Sequence, residues 1–181
     1  GKREHIVKPA VFLLTAGIEL VFAILLLNRT GKISFTWGGF GMDFALRIYP
    51  FTSWLLLALA VFFLLIAFYT VAFMRDKDHS KRFYASFLLA ISLACGVILA
   101  NNLAVLLFFW AALTIPFYGI VIAGGKDKYP TAMKTVVLNA IADFSLVLGI
   151  ALTGHIAGTY AMDSIFQMPL NGVGTFAFVC L

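Results

Sequence analysis

The chain has 181 residues, 62% hydrophobic and 12% charged, with a net charge of +5 and a mean hydropathy of +1.01. Soluble domains carry about 25% charged residues, so the composition excludes an ordinary soluble globule and predicts an all-α polytopic membrane protein, one membrane domain over residues 1–181. The positive charge is no nucleic-acid signal, because Lys and Arg fall in short blocks between apolar runs, with no basic face and no aromatic–basic interleaving.

At about 20 residues per span plus short loops, five to six helices fit. No signal peptide is expected: Gly1-Lys2-Arg3-Glu4-His5 leads into a run too long for an h-region, with no cleavage site behind it. The first residue is not Met and Leu181 interrupts an apolar run, so a fragment of a longer chain is expected.

The first span covers about 6–27. Glu19 lies in its middle with no cation three or four residues away, so a neutral carboxyl facing a neighbouring helix and a conducting carboxylate are both open. Residues 28–49 alternate in polarity and carry turn glycines at Gly31, Gly38, Gly39 and Gly41, which predicts a β-hairpin on the membrane surface. The second span covers about 50–74, long enough to tilt. A polar connector, residues 75–82, leads to the third span at about 83–100.

The fourth span, about 103–123, contains Pro116. A proline there frees the carbonyl of Ala112 and bends the helix, with Thr114 and Tyr118 near enough to satisfy freed backbone groups. After a polar connector at 124–130 comes the fifth span, about 131–153, which holds the costly groups. A charge at the bilayer centre costs about 2.5–3.5 kcal/mol on insertion scales. Asp143 lies near the middle, where it is either neutral glue between helices or a carboxylate in an ion path, and Asn139 shares its face four residues earlier. Lys134 is one turn inside the helix, within reach of the headgroups by snorkelling. Nine positions separate Lys134 from Asp143, roughly 180° around the helix and about 13 Å along it. They cannot form an intrahelical pair. His155 lies at the far end of the span, and imidazole is the side chain suited to proton exchange near neutral pH. Residues 172–181 open a sixth span.

Alternating sides place Lys2, Arg3, Lys8, Arg75, Lys77, Lys81, Arg82, Lys126, Lys128 and Lys134 on one side, and Arg29, Lys32 and Arg47 on the other. The positive-inside rule makes the first side cytoplasmic, with the N-terminal end of the chain inside and the hairpin outside. Trp37, Tyr49, Trp54, Tyr129 and Tyr160 are candidate interface anchors. Cys95 and Cys180 sit singly in apolar runs, which predicts small buried residues rather than a disulfide or a metal site. No CxxC, HExxH, phosphate loop or nucleophile triad is present, so no metal site, redox centre or catalytic residue is expected in this chain.

Three stretches then carry a family resemblance. Asn101-NLAVLLFFWAALTIPFY-118 resembles a helix with an aromatic run, Trp-Glu and Pro-x-Tyr; Thr131-AMKTVVLNAIADFSLVLGI-150 resembles the next, with a Lys near its start and, in one branch, an Asp nine residues later; Gly158-TYAMDSI-165 resembles the short Gly-Thr segment after it. The pattern is similar to the antiporter-type membrane subunits of respiratory complex I, membrane-bound hydrogenases and multisubunit sodium/proton antiporters. The resemblance implies the opening part of an antiporter-like fold of two inverted five-helix repeats, an outward hairpin, and a proton or sodium route through Lys134 and Asp143. It also implies other membrane subunits as partners, redox cofactors held in those partners and none here, and a multi-pass place in a prokaryotic cell membrane. Two departures stand out. The position of the family's key Glu is Ala111, and Tyr49-Pro50 replaces the usual Asp-Gly at the hairpin end. Ala111 leaves open a retired, non-conducting subunit kept for assembly; a stand-alone cation transporter is the third reading.

Overall fold

The computed structural model describes residues 2–36, 43–73, 80–165 and 172–180. In chain order the elements are α1 (Lys2–Leu26), β1 (Gly31–Thr36), β2 (Asp43–Ile48), α2 (Pro50–Phe73), α3 (Ser80–Leu99), α4 (Leu103–Ala112), α5 (Thr114–Ile122), a 3₁₀ turn (Lys126–Lys128), α6 (Tyr129–Ala157), α7 (Met162–Ile165) and α8 (Gly172–Cys180). Among the described residues, five helical stretches are long and apolar enough to cross a membrane, with α4 and α5 together making the fourth. The chain is thus mainly helical, with one antiparallel hairpin. Trp37, Gly38, Gly39, Gly41, Met74 and most of the 75–82 connector lie outside the described residues.

The helices pack through narrow seams and turn most of their apolar side chains outward, as a surface meant for lipid does. On α2 the buried residues Ser53, Leu56, Ala60, Phe63, Ala67 and Thr70 recur in alternating steps of three and four, which lays one stripe against the neighbouring helices. Pro50 begins α2, where its missing N–H is not needed. Thr52 closes the start: its hydroxyl donates to the Tyr49 carbonyl at 2.9 Å and accepts from the Tyr49 N–H at 3.0 Å. The Ser53 hydroxyl reaches across to the Leu26 carbonyl of α1 at 3.0 Å.

The core joins α1, α2 and α3 through Phe12, Ala16, Phe63, Ala67 and Tyr84. Phe12 meets Phe63 edge-on at 5.3 Å, Tyr84 at 4.8 Å and Phe87 at 5.6 Å between ring centroids. Each such pair contributes about 0.5–1.5 kcal/mol beyond area burial. The cluster lies toward the end of the bundle that carries the start of α3 and the end of α2, called the basic end below for Lys8, Lys81 and Arg82.

The opposite end is the hairpin end. β1 and β2 pair from Gly31↔Ile48 to Thr36↔Asp43. β1 is exposed throughout, whereas Ala45 of β2 is buried. The reason is a further backbone pass beside β2. Leu46 bridges Ala100, the Asn101 N–H donates to the Ala45 carbonyl at 2.9 Å, and Asn102 in turn bridges Ala161.

Several boundaries differ from the sequence expectation. α6 runs 29 residues, from Tyr129 to Ala157, against the expected 131–153. Pro130 sits in its first turn, where proline is tolerated, and Gly158 ends it in a left-handed conformation with φ +64°. The short α7 has no counterpart in the sequence expectation. The fourth span loosens only locally at Leu113, whose dihedrals stay helical (φ −60°, ψ −24°), one residue past the carbonyl that Pro116 leaves without its helical donor. Pro116 itself is buried. Neither Thr114 nor Tyr118 donates to the Ala112 carbonyl among the described hydrogen bonds. The chain instead tightens, with the Leu113 N–H pointing at the Phe109 and Trp110 carbonyls at 3.2 and 3.1 Å.

Candidate functional site

Asp143 stands midway along α6. It lies about 20 Å from either end at 1.5 Å per residue, the bilayer midplane for a helix spanning roughly 30 Å of hydrocarbon. Its Oδ1 accepts the indole Nε1–H of Trp110 at 2.9 Å. Trp110 belongs to the last turn of α4, just before Leu113, and 44% of it is exposed. A carboxylate oxygen and an aromatic N–H therefore meet across the α4–α6 seam in the middle of the membrane. A buried polar group without a partner is costly there. One hydrogen bond offsets part of that cost and leaves Oδ2 to accept or hold a proton.

The helix start is set by Asn102, whose Oδ1 accepts the Ala104 N–H at 2.9 Å with an extended backbone (φ −135°, ψ 133°). Next to Trp110, Ala111 opens onto a groove of about 690 Å³ lined by Leu107, Phe108, Ile115, Val147 and Ile150, with Tyr160 as its one polar side chain. Where the family resemblance places a carboxylate, this surface is apolar.

Lys134 is exposed, in the second turn of α6 at the basic end, and has no hydrogen-bond or ion-pair partner among the described residues. Asn139 is half-buried and His155 is exposed near the hairpin end of the same helix. The structure does not bring Lys134, Asn139, Asp143 and His155 together; they are spaced along α6 from one membrane face to the other. Glu19 is separate again. The Cys95 thiol donates to its Oε1 at 3.4 Å, linking α1 to α3. Cys95 and Cys180 are half-buried, not the fully buried residues expected. Among the described residues no group of His, Cys, Asp and Glu is arranged to hold a metal ion. Of the candidate anchors, Trp54 and Tyr129 are exposed. Tyr160 instead folds back onto α6, where a Cβ on Gly154 would collide with its ring.

Sequence reasoning missed one cluster. Asp163 of α7 accepts Lys32 Nζ of β1 at 2.9 Å on Oδ2, Asn101 Nδ2 at 3.0 Å on the same oxygen, and Arg47 Nη1 of β2 on Oδ1. The Arg47 guanidinium also lies over the Tyr49 ring, 4.5 Å from its centroid. A signal was available: three cations occupy that side, and the carboxylates on it are Asp43 and Asp163.

Residues 100–181 match the family described as NADH:quinone oxidoreductase/Mrp antiporter, TM. The chain is similar along its length to antiporter-type membrane subunits. The NAD(P)H-quinone oxidoreductase subunit 5, chloroplastic, of Hordeum vulgare is 26% identical over 185 residues, covering 92% of this chain and 24% of that protein. Its counterpart in Brachypodium distachyon is 29% identical over 180 residues, covering 91% and 24%. A probable K(+)/H(+) antiporter protein of Rhizobium meliloti (strain 1021) is 27% identical over 128 residues, covering 69% of this chain and 13% of that one. The fold is shared with a chain in the structure of the Mrp complex from Dietzia sp. DQ12-45-1b, with a TM-score of 0.77 at 19% identity over 97% of this chain and 20% of that chain. The antiporter-like arrangement expected from the sequence is thus borne out at the level of fold. The chain spans about a quarter of the length of the chloroplast relatives it matches.

Proposed function

We propose that this chain is part of an ion-translocating, antiporter-like subunit of a membrane-bound redox complex, and that the ion is a proton. The observation that carries the reading is the Trp110–Asp143 hydrogen bond at the centre of α6. A midplane carboxyl with one oxygen fixed by a neighbouring helix and the other unassigned is poised to take up and release a proton. Lys134 at the basic end would pass protons between the cytoplasmic headgroups and the centre, and Asn139, one turn before Asp143, supplies a polar step between them. The gap of about 13 Å between Lys134 and Asp143 exceeds any direct transfer, so water or residues of further helices must bridge it. His155 would serve the outward end, and Glu19 a minor branch. On this reading the N-terminal end is cytoplasmic, the membrane is that of a prokaryotic cell, and redox cofactors reside in partner subunits.

A second reading has an observation of its own. Ala111 faces an apolar groove rather than presenting a carboxylate, which favours a subunit retained for assembly that no longer conducts. The deciding experiment is proton uptake by vesicles carrying the full-length chain in its complex. Asp143→Ala is expected to remove most coupled uptake and Lys134→Ala a smaller share. Unchanged uptake in both, with normal assembly, would overturn the relay and leave the structural role.

A further inference from the structure

The contact between Trp110 and Asp143 depends on how far α4 slides along α6. An apolar groove lined by Leu107, Phe108, Val147 and Ile150 opens between the two helices. Among the described residues, the polar link between their shafts is the Trp110–Asp143 bond itself. The other ties lie at the hairpin end. The Leu103 N–H, the first of α4, donates to the Tyr160 carbonyl at 2.9 Å, and the Met162 N–H donates to the Asn101 carbonyl at 3.1 Å. Tyr160 follows α6 directly, through the Gly158 turn, and its ring rests on Gly154 of that helix. The start of α4 and the end of α6 are therefore held by the short pass of residues 100–103 against 160–162.

Asp163 closes that pass. Both of its oxygens are engaged, by Lys32 and Arg47 of the hairpin and by Asn101 immediately before the α4 cap. The carboxylate thus gathers three connectors that are distant in sequence, and one of its partners is adjacent to the residue that sets where α4 begins. We infer that Asp163 is a positioning residue: the hairpin-end ion cluster fixes the axial register of α4 on α6 and thereby holds Trp110 on Asp143, about 12 Å down α4 from its Asn102 cap at 1.5 Å per residue. The inference rests on the proposed role of Asp143 only for its functional consequence; the register itself is a structural claim. Three partners on one carboxylate give the cluster a direction that a single ion pair lacks. Lys32 and Arg47 approach from the hairpin and Asn101 from the α4 side, so loss of the charge releases both at once.

The test uses the full-length chain in its complex, labelled with 5-fluorotryptophan. The Trp110 fluorine resonance is identified as the one lost in Trp110→Phe. Asp163→Asn is expected to move that resonance in the direction that Asp143→Asn moves it, with the double variant moving it no further than the larger single one, the non-additivity expected of coupled sites. Asp163→Glu is expected to restore most of the shift. Should Asp163→Asn fail to assemble, Lys32→Gln removes one contact from the same carboxylate and is expected to give a smaller shift of the same sign. An unmoved Trp110 resonance in an assembled variant, or additive shifts, would overturn the inference. Proton uptake measured on the same samples separates the two ideas. A moved resonance with no uptake in the unmodified complex upholds the register and sinks the proton route. A moved resonance with a displaced pH profile of uptake upholds both.

Discussion

The two ends of α6 teach different lessons about charge in this protein. At the hairpin end, Lys32, Arg47 and the buried Asn101 all converge on Asp163, and the three charged side chains are about one-third to one-half exposed. Along the spans the contacts are single: Asp143 has Trp110, Glu19 has Cys95, and Lys134 stands exposed. A satisfied network fixes geometry, whereas a singly bonded group can change protonation state without dismantling its surroundings.

The comparison can be broken most forcefully outside both regions, at the aromatic core. Phe12→Ala empties a site that is 1% exposed. In soluble cores this costs about 3–5 kcal/mol. With lipid rather than water as the alternative environment, chiefly the packing part remains, so a loss of about 1–3 kcal/mol in a detergent-unfolding titration is expected. A smaller value would mean that α1 is held mainly by other helices.

Next in size is Gly96→Leu on α3. A Cβ there would lie 2.5 Å from the Phe109 ring, so the ring or α4 with it must move. Overpacking of this kind costs about 1–3 kcal/mol. The variant should also disturb the Trp110 environment, because Phe109 and Trp110 are consecutive. An unperturbed tryptophan would show that α4 can yield without losing its hold on α6.

Ala111→Glu sharpens the comparison by adding a third membrane carboxyl beside an apolar groove. If the route is active, proton uptake should change; if this half of the molecule is retired, uptake stays as it was and stability falls. Asp163→Asn should destabilise by about 1 kcal/mol, discounted for the exposure of its partners, and the difference from the unmodified protein should shrink in high salt as the ionic part is screened.

The smallest effect is expected at the basic end. Lys128 lies 3.0 Å from Asp127 and holds that exposed carboxyl below its ordinary range, first by hydrogen bonding. The contribution is present above the unfolded carboxylate's pKa and fades as pH falls through the lowered folded value. Lys128→Gln should bring the Asp127 titration, followed by carbon NMR, back up toward normal.

The spans were legible because apolar runs of about 20 residues have few other uses. Pro116 marked where the fourth span loses a backbone hydrogen bond. The true start of α6 at Tyr129 was obscured because Pro130, usually a stop, is here an opening, and its end was placed short of Gly158, the residue whose left-handed backbone closes the helix. Asp143 was visible as a charge out of place, but its partner was not. Trp110 is 33 residues away, on a face that helix periodicity alone cannot pair with another helix. The Asp163 cluster is harder still, since its contacts cross 62 to 131 residues.

The proline in the fourth span has a mechanical meaning. The helix runs on through Leu113, whose dihedrals stay helical and whose N–H still bonds the Phe109 carbonyl at 3.2 Å, but Pro116 offers no N–H to the Ala112 carbonyl, so one rung of the ladder is missing at mid-depth. Beyond that rung α5 is keyed to α3 where Gly119 admits Ser86 at close quarters, while α4 starts at the hairpin end under its asparagine cap. Trp110 lies two residues before the missing rung, so the indole is carried by the stretch of helix where bending meets the least resistance.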